Sequence, residues 1–313
     1  MDISTDELVA GLKEHGYRAR VVSLDRVALL QRQLSCLRND GFFDEAFFQE
    51  RLSWFKFQVP ETLRNARSII VAAMPRPQTR ATFTVGGRRW PLIIPPTYTA
   101  YEQVQKRFEG VAAEILGKSG YAVVRTSLPL KQLAVRSGLA EYGKNNITYV
   151  SGIGSFLQIV AAYSDLPCRS DGWREPAMMK NCEGCDLCRR ACLTGAIPEG
   201  RFLLRGERCI VYHNEKNGDI PFPEWMASSW HNCLIGCMHC QRACPQNKEF
   251  LKWVEGEEEF SEEETALILK GTPSDKISAT TLEKLERLNI ADDLDKLPRN
   301  LGVFFSRQSR HAS

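Results

Sequence analysis

Two cysteine-dense runs constrain this chain more than any other feature. The first is Cys182-Glu-Gly-Cys185-Asp-Leu-Cys188-Arg-Arg-Ala-Cys192, and the second is Cys237-Met-His-Cys240-Gln-Arg-Ala-Cys244-Pro245. The first has the C-x-x-C-x-x-C-x-x-x-C spacing by which thiolates hold iron–sulfur clusters; the second lacks only the opening cysteine. Three thiolates in one tight loop reach three corners of a cubane. The fourth, on the helix that follows, ligates the other cluster. On this rule Cys182, Cys185, Cys188 and Cys244 hold one [4Fe–4S] cluster, while Cys192, Cys237 and Cys240 hold a second. Cys209, between the runs, completes the second set, with Cys233 as its rival. Zinc sites use cysteine pairs and have no place for the extra cysteine three residues on. A disulfide framework belongs to short secreted domains. Cys36, Cys168 and Cys233 are expected to be small buried hydrophobes.

The chain has 313 residues, enough for one large core and a smaller module. Charged residues make up 25% and hydrophobic residues 43%, an ordinary balance for a folded domain. The net charge is +3, so no global field draws in nucleic acid, although Arg76, Arg80, Arg88, Arg89, Arg189 and Arg190 form local basic clusters. No apolar run reaches the roughly 20 residues of a bilayer span. The opening Met1-Asp2-Ile3-Ser4 leads straight into a polar amphipathic segment rather than a secretory leader. With 11 cysteines, this points to a reducing cytoplasm.

Local patterns predict an α+β mixture. Ser4 and Glu7 form a capping box for a helix over 4–15 that Gly16 stops. Residues 17–23 alternate as a strand, 24–37 have helical period, and 68–73 form a buried-strand run. A Pro/Arg-rich loop over 74–82 precedes a hairpin around Gly86-Gly87. Further expectations are helices over 101–116 and 130–137, and strands over 121–124, 147–150 and 156–162. Past an acidic stretch at 255–264, Ser261 and Glu264 form a second capping box. Helices over 280–289 and 291–297 then follow, Pro298 stopping the last. The divisions expected are 1–167, a cluster module over 168–256, and a helical tail over 257–313.

Several segments resemble the epoxyqueuosine reductase family, whose cobalamin- and iron–sulfur-dependent members are related to reductive dehalogenases. Residues 133–145, Leu-Ala-Val-Arg-Ser-Gly-Leu-Ala-Glu-Tyr-Gly-Lys-Asn, are similar to its LAxRxGLGxxGKN signature. Gly154-Ser155-Phe156-Leu157 and Ser164-Asp165-Leu166-Pro167 are similar to GSxxxL and TDLPL. Cys192–Ile197 resembles CPTGAI, Cys209–Tyr212 resembles CISY and so favours Cys209 over Cys233, and residues 236–247 resemble GCDxCQxxCPxN. Pro60–Val71 is similar to the stretch ending ARSVIV. The resemblance implies a nitroreductase-like cobalamin-binding domain, a two-cluster ferredoxin-like module and a short helical tail. It implies electron flow from two [4Fe–4S] clusters to cobalt and on to substrate, fed by a low-potential ferredoxin or flavodoxin. It also implies a corrinoid site at Gly138, Tyr142, Gly143, Lys144, Asn145, Gly154 and Ser155. Glycine lets backbone approach a flat ligand closely, and Lys144 would pair with a phosphate or propionamide edge of the corrinoid.

Two departures bear on the substrate pocket, one of them Ala100-Tyr101-Glu102 where the family has DYH. The family carries a proton-donating acid before the 130–137 helix, but no aspartate or glutamate lies between Tyr121 and Lys131 here. Reductive dehalogenases use a tyrosine with a basic neighbour, and the candidates here are Tyr98, Tyr101, Tyr142, Arg125 and Lys131. Tyr101 and Lys131 flank the matching stretches and are chosen as the catalytic pair. The chain therefore reads as an oxidoreductase acting on epoxyqueuosine in tRNA or on another small-molecule substrate, with no membrane partner. The alternative is a non-catalytic protein that transfers electrons or handles a corrinoid for a partner.

Overall fold

The computed structural model describes residues 3–306, so Met1 and Asp2 of the opening tetrapeptide lie outside the described residues. The chain divides into two compact units. The first comprises the chain up to Arg76, Tyr101–Asp186 and Glu199–Leu204; the second comprises Pro77–Ala100, Leu187–Pro198 and the chain from Arg205. Both mix helix and sheet, as an α+β reading requires.

The first unit contains helices α1 (Thr5–Glu14), α2 (Arg26–Asn39), α3 (Glu45–Arg51), α4 (Tyr101–Gly117) and α5 (Leu130–Arg136). Its strands are β1 (Arg18–Ser23), β2 (Ser68–Pro75), β5 (Val123–Arg125), the short hairpin pair β6 (Glu141–Tyr142) and β7 (Thr148–Tyr149), and β8 (Leu157–Ser164). The main sheet has the order β1-β2-β8-β5, antiparallel throughout. Every residue of β8 is buried, as befits a strand covered on both faces. The capping box of Ser4 and Glu7 forms as expected, and Gly16 leaves α1 at a φ of 87°. Val22, Ile69, Val71, Leu133, Val135 and Tyr163 belong to the core. Cys36 departs from its expected burial and is exposed. α2 buries Val27 and Leu30, and position 36 falls on its opposite face.

The second unit contains β3 (Gln78–Val85), β4 (Arg88–Ile94), α6 (Leu187–Ala191), α7 (Ile210–Asn214), α8 (His239–Arg242), β9 (Val254–Phe260), α9 (Glu262–Leu269), α10 (Ala279–Arg287) and α11 (Leu297–Phe305). Gly86 and Gly87, at φ 58° and 71°, make the tight turn of the β3–β4 hairpin. The loop expected over 74–82 is largely strand, because β3 is longer than the turn signal suggests and gains a second neighbour. That neighbour is β9, parallel to β3, formed by the acidic stretch that carries no strand alternation. Arg80 pairs with Glu257 at 2.6 Å and Arg89 with Glu259, so the acidic strand docks on a basic hairpin. Phe260 stacks on Phe83 with ring centroids 4.7 Å apart. The expected helix over 291–297 is also corrected: a 3₁₀ turn spans Ala291–Asp293, and the helix proper starts at Leu297. Pro298 sits in its first turn, where a missing N–H costs nothing, so it starts this helix rather than stopping one.

Two stability outcomes follow from this packing. Phe260→Ala is expected to cost about 3–5 kcal/mol, read as a shift in the denaturation midpoint of the second unit. The capping carboxylate of Glu264 is the other case. Burial alone would raise its pKa, but Lys284, the Ser261 N–H and the Thr281 hydroxyl together hold it below the ordinary range. Its contribution is therefore complete above about pH 4.3, the unfolded carboxyl value, and is lost as pH falls through the lower folded value. Glu264→Gln should flatten the acid side of a stability-against-pH curve and leave its neutral-to-basic side parallel to the parent.

Candidate functional site

The second unit brings together cysteines from three separate segments. The short helices α6 and α8 pack on one another. Cys188 is buried on α6, Cys192 follows its end, Cys240 lies on α8, and Cys237 stands just before it. Cys209 occupies the residue before α7, its backbone extended at φ −73° and ψ 134°. Burial pushes the Cys240 thiol far up, and the nearby thiols of Cys237, Cys209, Cys192 and Cys188 push it further. Cys237 is raised to about 11 by burial, with Cys192 adding to the shift and the His239 N–H and Asn232 opposing it. Buried thiols that oppose one another's ionisation become thiolates only when a positive centre compensates them. That donor chemistry fits an iron–sulfur cluster. Among the described residues no three or more His, Cys, Asp or Glu converge on a single-ion position. A cubane, with one iron for each thiolate, spreads its ligands more widely than one ion does. Cys233 is 1% exposed and Cys168 half-buried.

The turn before Cys237 is built without room to spare. Gly236 has a φ of 77°, and a Cβ there would lie 2.5 Å from the ring of Tyr98. Glycine is required both for the left-handed backbone and for the aromatic against it. Asn214, at the end of α7, clamps the same glycine: the Gly236 N–H donates to Asn214 Oδ1 at 2.8 Å, and Asn214 Nδ2 donates to the Gly236 carbonyl at 3.3 Å. The Tyr98 phenol is held protonated by burial, by Glu215 and by the thiols of Cys209, Cys240 and Cys237. Cys244 precedes a 3₁₀ turn that Pro245 opens.

In the first unit, Cys182 ends a 3₁₀ turn over Lys180–Cys182, and the Cys185 N–H donates to the Cys182 carbonyl at 3.3 Å. Lys144 is committed to this loop: its Nζ donates to the Cys185 carbonyl at 2.5 Å and to Asp186 Oδ1 at 3.1 Å. The Tyr142 N–H and carbonyl pair with Ala177 and Met179, both at 2.9 Å, which ties the β6–β7 hairpin to the chain leading into the cysteines. A Cβ on Gly143 would lie 2.5 Å from Asn145 Oδ1 and 2.6 Å from the Tyr149 ring. Asn145 is 3% exposed; its Nδ2 donates to the Tyr149 hydroxyl at 2.9 Å, and its Oδ1 accepts the Ile147 N–H at 3.2 Å. Asn146 holds a left-handed φ of 60°, and its buried Nδ2 has no hydrogen-bond acceptor among the described residues. An orphaned buried amide donor fits the rim of amide side chains on a corrinoid. Gly138 turns the chain at φ 75° after α5, beside Arg174 and Gly172. Gly154, at φ 57°, accepts the Val150 N–H, and Ser155 beside it is buried. Tyr142 is buried with its phenol pushed up, its ring edge-on to Phe202.

Of the two residues chosen as the catalytic pair, Tyr101 opens α4 and Lys131 is exposed on α5. Arg125 stands directly beside Tyr101, its guanidinium 5.5 Å from the ring centroid. It also grips Glu102 with two bonds of 2.8 and 2.7 Å. Burial raises the Tyr101 phenol, with Arg125 partly opposing, while the Arg125 hydrogen bonds hold Glu102 low. The acid in this corner is thus ionised and the phenol protonated. Ala100, just ahead of α4, has φ 59°, a strain of about 1–3 kcal/mol that fixes where the helix and Tyr101 begin. Asn146, Tyr149 and Asn214 carry no motif that singles them out, since each works through contacts local spacing does not encode. Gly143→Ala should cost about 1–3 kcal/mol as Asn145 and Tyr149 are displaced, measured as a lower thermal midpoint. Lys144→Met, made in parallel, should leave that midpoint within about 1 kcal/mol of the parent.

Known proteins match this arrangement. Residues 181–247 match the model of the 4Fe-4S double cluster binding domain, which carries the two [4Fe–4S] clusters. An epoxyqueuosine reductase of Burkholderia pseudomallei is 32% identical over 154 residues, 47% of this chain and 37% of that protein. The chain thus matches less than half the length of this curated relative. A selenomethionine-labelled epoxyqueuosine reductase superposes with a TM-score of 0.66 at 20% identity, over 95% of this chain and 80% of that one. A further epoxyqueuosine reductase structure, with an epoxyqueuosine-modified tRNA stem loop, gives 0.64 at 19% identity over 95% and 79%. No helix among the described residues is long and apolar enough to cross a membrane. The cluster-binding segment thus matches a double-cluster domain, about half of the sequence is similar to epoxyqueuosine reductases, and the fold is shared with their solved structures.

Proposed function

We propose that this protein is an iron–sulfur oxidoreductase in which two [4Fe–4S] clusters pass electrons to a cobalamin and thence to a substrate bearing a reducible carbon–oxygen or carbon–leaving-group bond. The observation that carries this reading is the gathering of Cys192, Cys209, Cys237 and Cys240 in one unit, within the segment matching the double-cluster domain. Those four hold one cluster; Cys182, Cys185, Cys188 and Cys244 hold the other, following the spacing rule. The clusters, when bound, carry single electrons, and the corrinoid supplies a strongly reducing cobalt centre.

The protein's own residues do the rest. Lys144 keeps the Cys185–Asp186 backbone in place, so the loop presenting Cys182 and Cys185 is held by a cation. Asn145 and Tyr149 brace the β6–β7 turn, and Asn146 offers its free amide donor to a corrinoid propionamide. Gly138, Tyr142, Gly143, Gly154 and Ser155 complete that face. Tyr101 is the proton donor: its phenol is protonated at neutral pH and gives its O–H proton to the departing oxygen or other leaving group. Arg125 beside it stabilises the phenolate that remains. Lys131 supplies a second positive charge on the helix that follows.

The substrate is epoxyqueuosine in tRNA, in keeping with the stem loop held by a structural relative, or a small organic molecule of like reducibility. A second reading, a non-catalytic electron carrier or corrinoid handler, is favoured by one observation: no acid lies between Tyr121 and Lys131. The test is anaerobic reconstitution of the whole chain followed by incubation with cobalamin and gel filtration. Eight irons per chain, co-eluting corrinoid and reoxidation of reduced protein by epoxyqueuosine tRNA are expected. Clusters without retained corrinoid would overturn the proposal; retained corrinoid with no substrate-driven reoxidation would leave the carrier. Tyr101→Phe should lower turnover by roughly two to four decades with iron and corrinoid content unchanged.

A further inference from the structure

The chain from residue 257 onward contains no cysteine, yet α11 reaches the loops that present the second cluster's thiols. Asn300 is fully buried, and its Nδ2 donates to the carbonyls of Asn214 at 3.0 Å and Leu234 at 3.1 Å. Its Oδ1 accepts Arg299 Nε and Nη2, both at 3.1 Å. Arg299 also donates to the carbonyls of Asn214 (3.0 Å), Lys216 (2.9 Å), Asn217 (2.8 Å) and Ile220 (2.7 Å). These carbonyls end α7 and line the turn after it, where a helix leaves its acceptors unpaired. A Cβ on Gly218 would lie 1.8 Å from the Asp295 carbonyl oxygen, so this turn sits on the tail with no room for a side chain.

The network leads to the thiols in two directions. α7 begins directly after Cys209, and its last residue is Asn214. The Asn214 carboxamide makes the reciprocal pair with Gly236, whose neighbour is Cys237. Leu234, the other acceptor of Asn300, lies on the same segment. One buried carboxamide on the tail therefore grips both the α7 end and the 234–236 backbone. A tail that merely covered apolar surface would need no such pair. A fully satisfied buried polar network fixes one geometry, and removing a member leaves desolvated groups unpaired.

We infer that Arg299 and Asn300 are positioning residues of the second cluster, setting through Asn214 the separation between Cys209 and Cys237. The inference rests on the assignment of Cys192, Cys209, Cys237 and Cys240 to that cluster. Hydrogen bonding and solvent exposure around the sulfurs set cluster potentials, so relaxing this clamp changes the second cluster's reduction equilibrium.

The experiment uses the full chain, reconstituted anaerobically, with redox titration followed by electron paramagnetic resonance and iron content measured in parallel. Cys209→Ser should alter one of two spectral components and thereby identify the second cluster. Asn300→Ala and Arg299→Lys, the latter keeping the charge but losing the planar fork, should shift the reduction equilibrium of that component about tenfold. That is about 59 mV for one electron. The other component should titrate as in the parent. Should Asn300→Ala not accumulate as folded protein, Arg299→Lys carries the test. Parent-like titration of both components in the variants, whatever happens to the thermal midpoint of the cluster-free protein, would reduce the clamp to general structural support and sink the inference. Parent-like behaviour of Cys209→Ser would show instead that the ligand assignment had failed, and the inference with it.

Discussion

Buried thiols that raise one another's pKa do not hold themselves together. Cys240 has Cys237, Cys209, Cys192 and Cys188 around it, and each ionisation opposes the next. Their convergence has to be imposed by backbone fixed elsewhere, and the second unit is organised around that requirement. Its cysteines lie on or beside helices too short to be stable alone. The order comes from the residues around them: a glycine with no space for a Cβ beside Tyr98, a reciprocal carboxamide–backbone pair at Asn214, and carbonyls gathered by Arg299. The apolar core of this unit, with Phe83, Phe260, Leu285 and Leu301, is made mainly by the hairpin, β9 and the last helices, and Leu234 and Ile235 anchor the segment before Cys237 in it.

The first unit meets a different demand. Its sheet is conventional, and β8 is covered on both sides. The chemically charged part is the corner where Tyr101, Glu102 and Arg125 meet. Arg125 serves two partners there, neutralising Glu102 and facing the Tyr101 ring. The two Arg125 bonds hold Glu102 ionised, while burial keeps the Tyr101 phenol protonated. Lys144 shows the same economy, since its contacts are with the carbonyl of a cysteine and the aspartate that follows.

What could be read in the sequence was what chemistry encodes over a few residues. The capping boxes of Ser4 with Glu7 and Ser261 with Glu264 form as read, because both partners lie within one helical turn. The Gly86-Gly87 turn and the buried run over 68–73 are equally local. β9 was not legible: Glu255, Glu257 and Glu259 look like a solvated charge run until Arg80 and Arg89 of a remote hairpin are placed against them. Pro298 reads as a stop in the sequence because a proline that ends one helix and a proline that begins another look alike without the φ and ψ around them. Among candidate site residues, the cysteine spacing was plain. The neighbours Asn214, Asn300 and Tyr149 were not, since each contact is fixed by tertiary structure.

The parallel pairing of β3 with β9 has a consequence for how the molecule comes into being. Arg80 and Glu257 are 177 residues apart, and the whole cysteine-bearing segment lies between them. During synthesis, the hairpin emerges long before the strand that completes its sheet, and closing so long a loop is slow. The cysteines from Cys188 to Cys244 therefore leave the ribosome before the second unit, which houses them, has its third strand or its last helix. Thiols at that stage are open to solvent and to stray metal or oxidant. The order in which the thiols and the strand that completes their unit's sheet appear is thus a property of the topology.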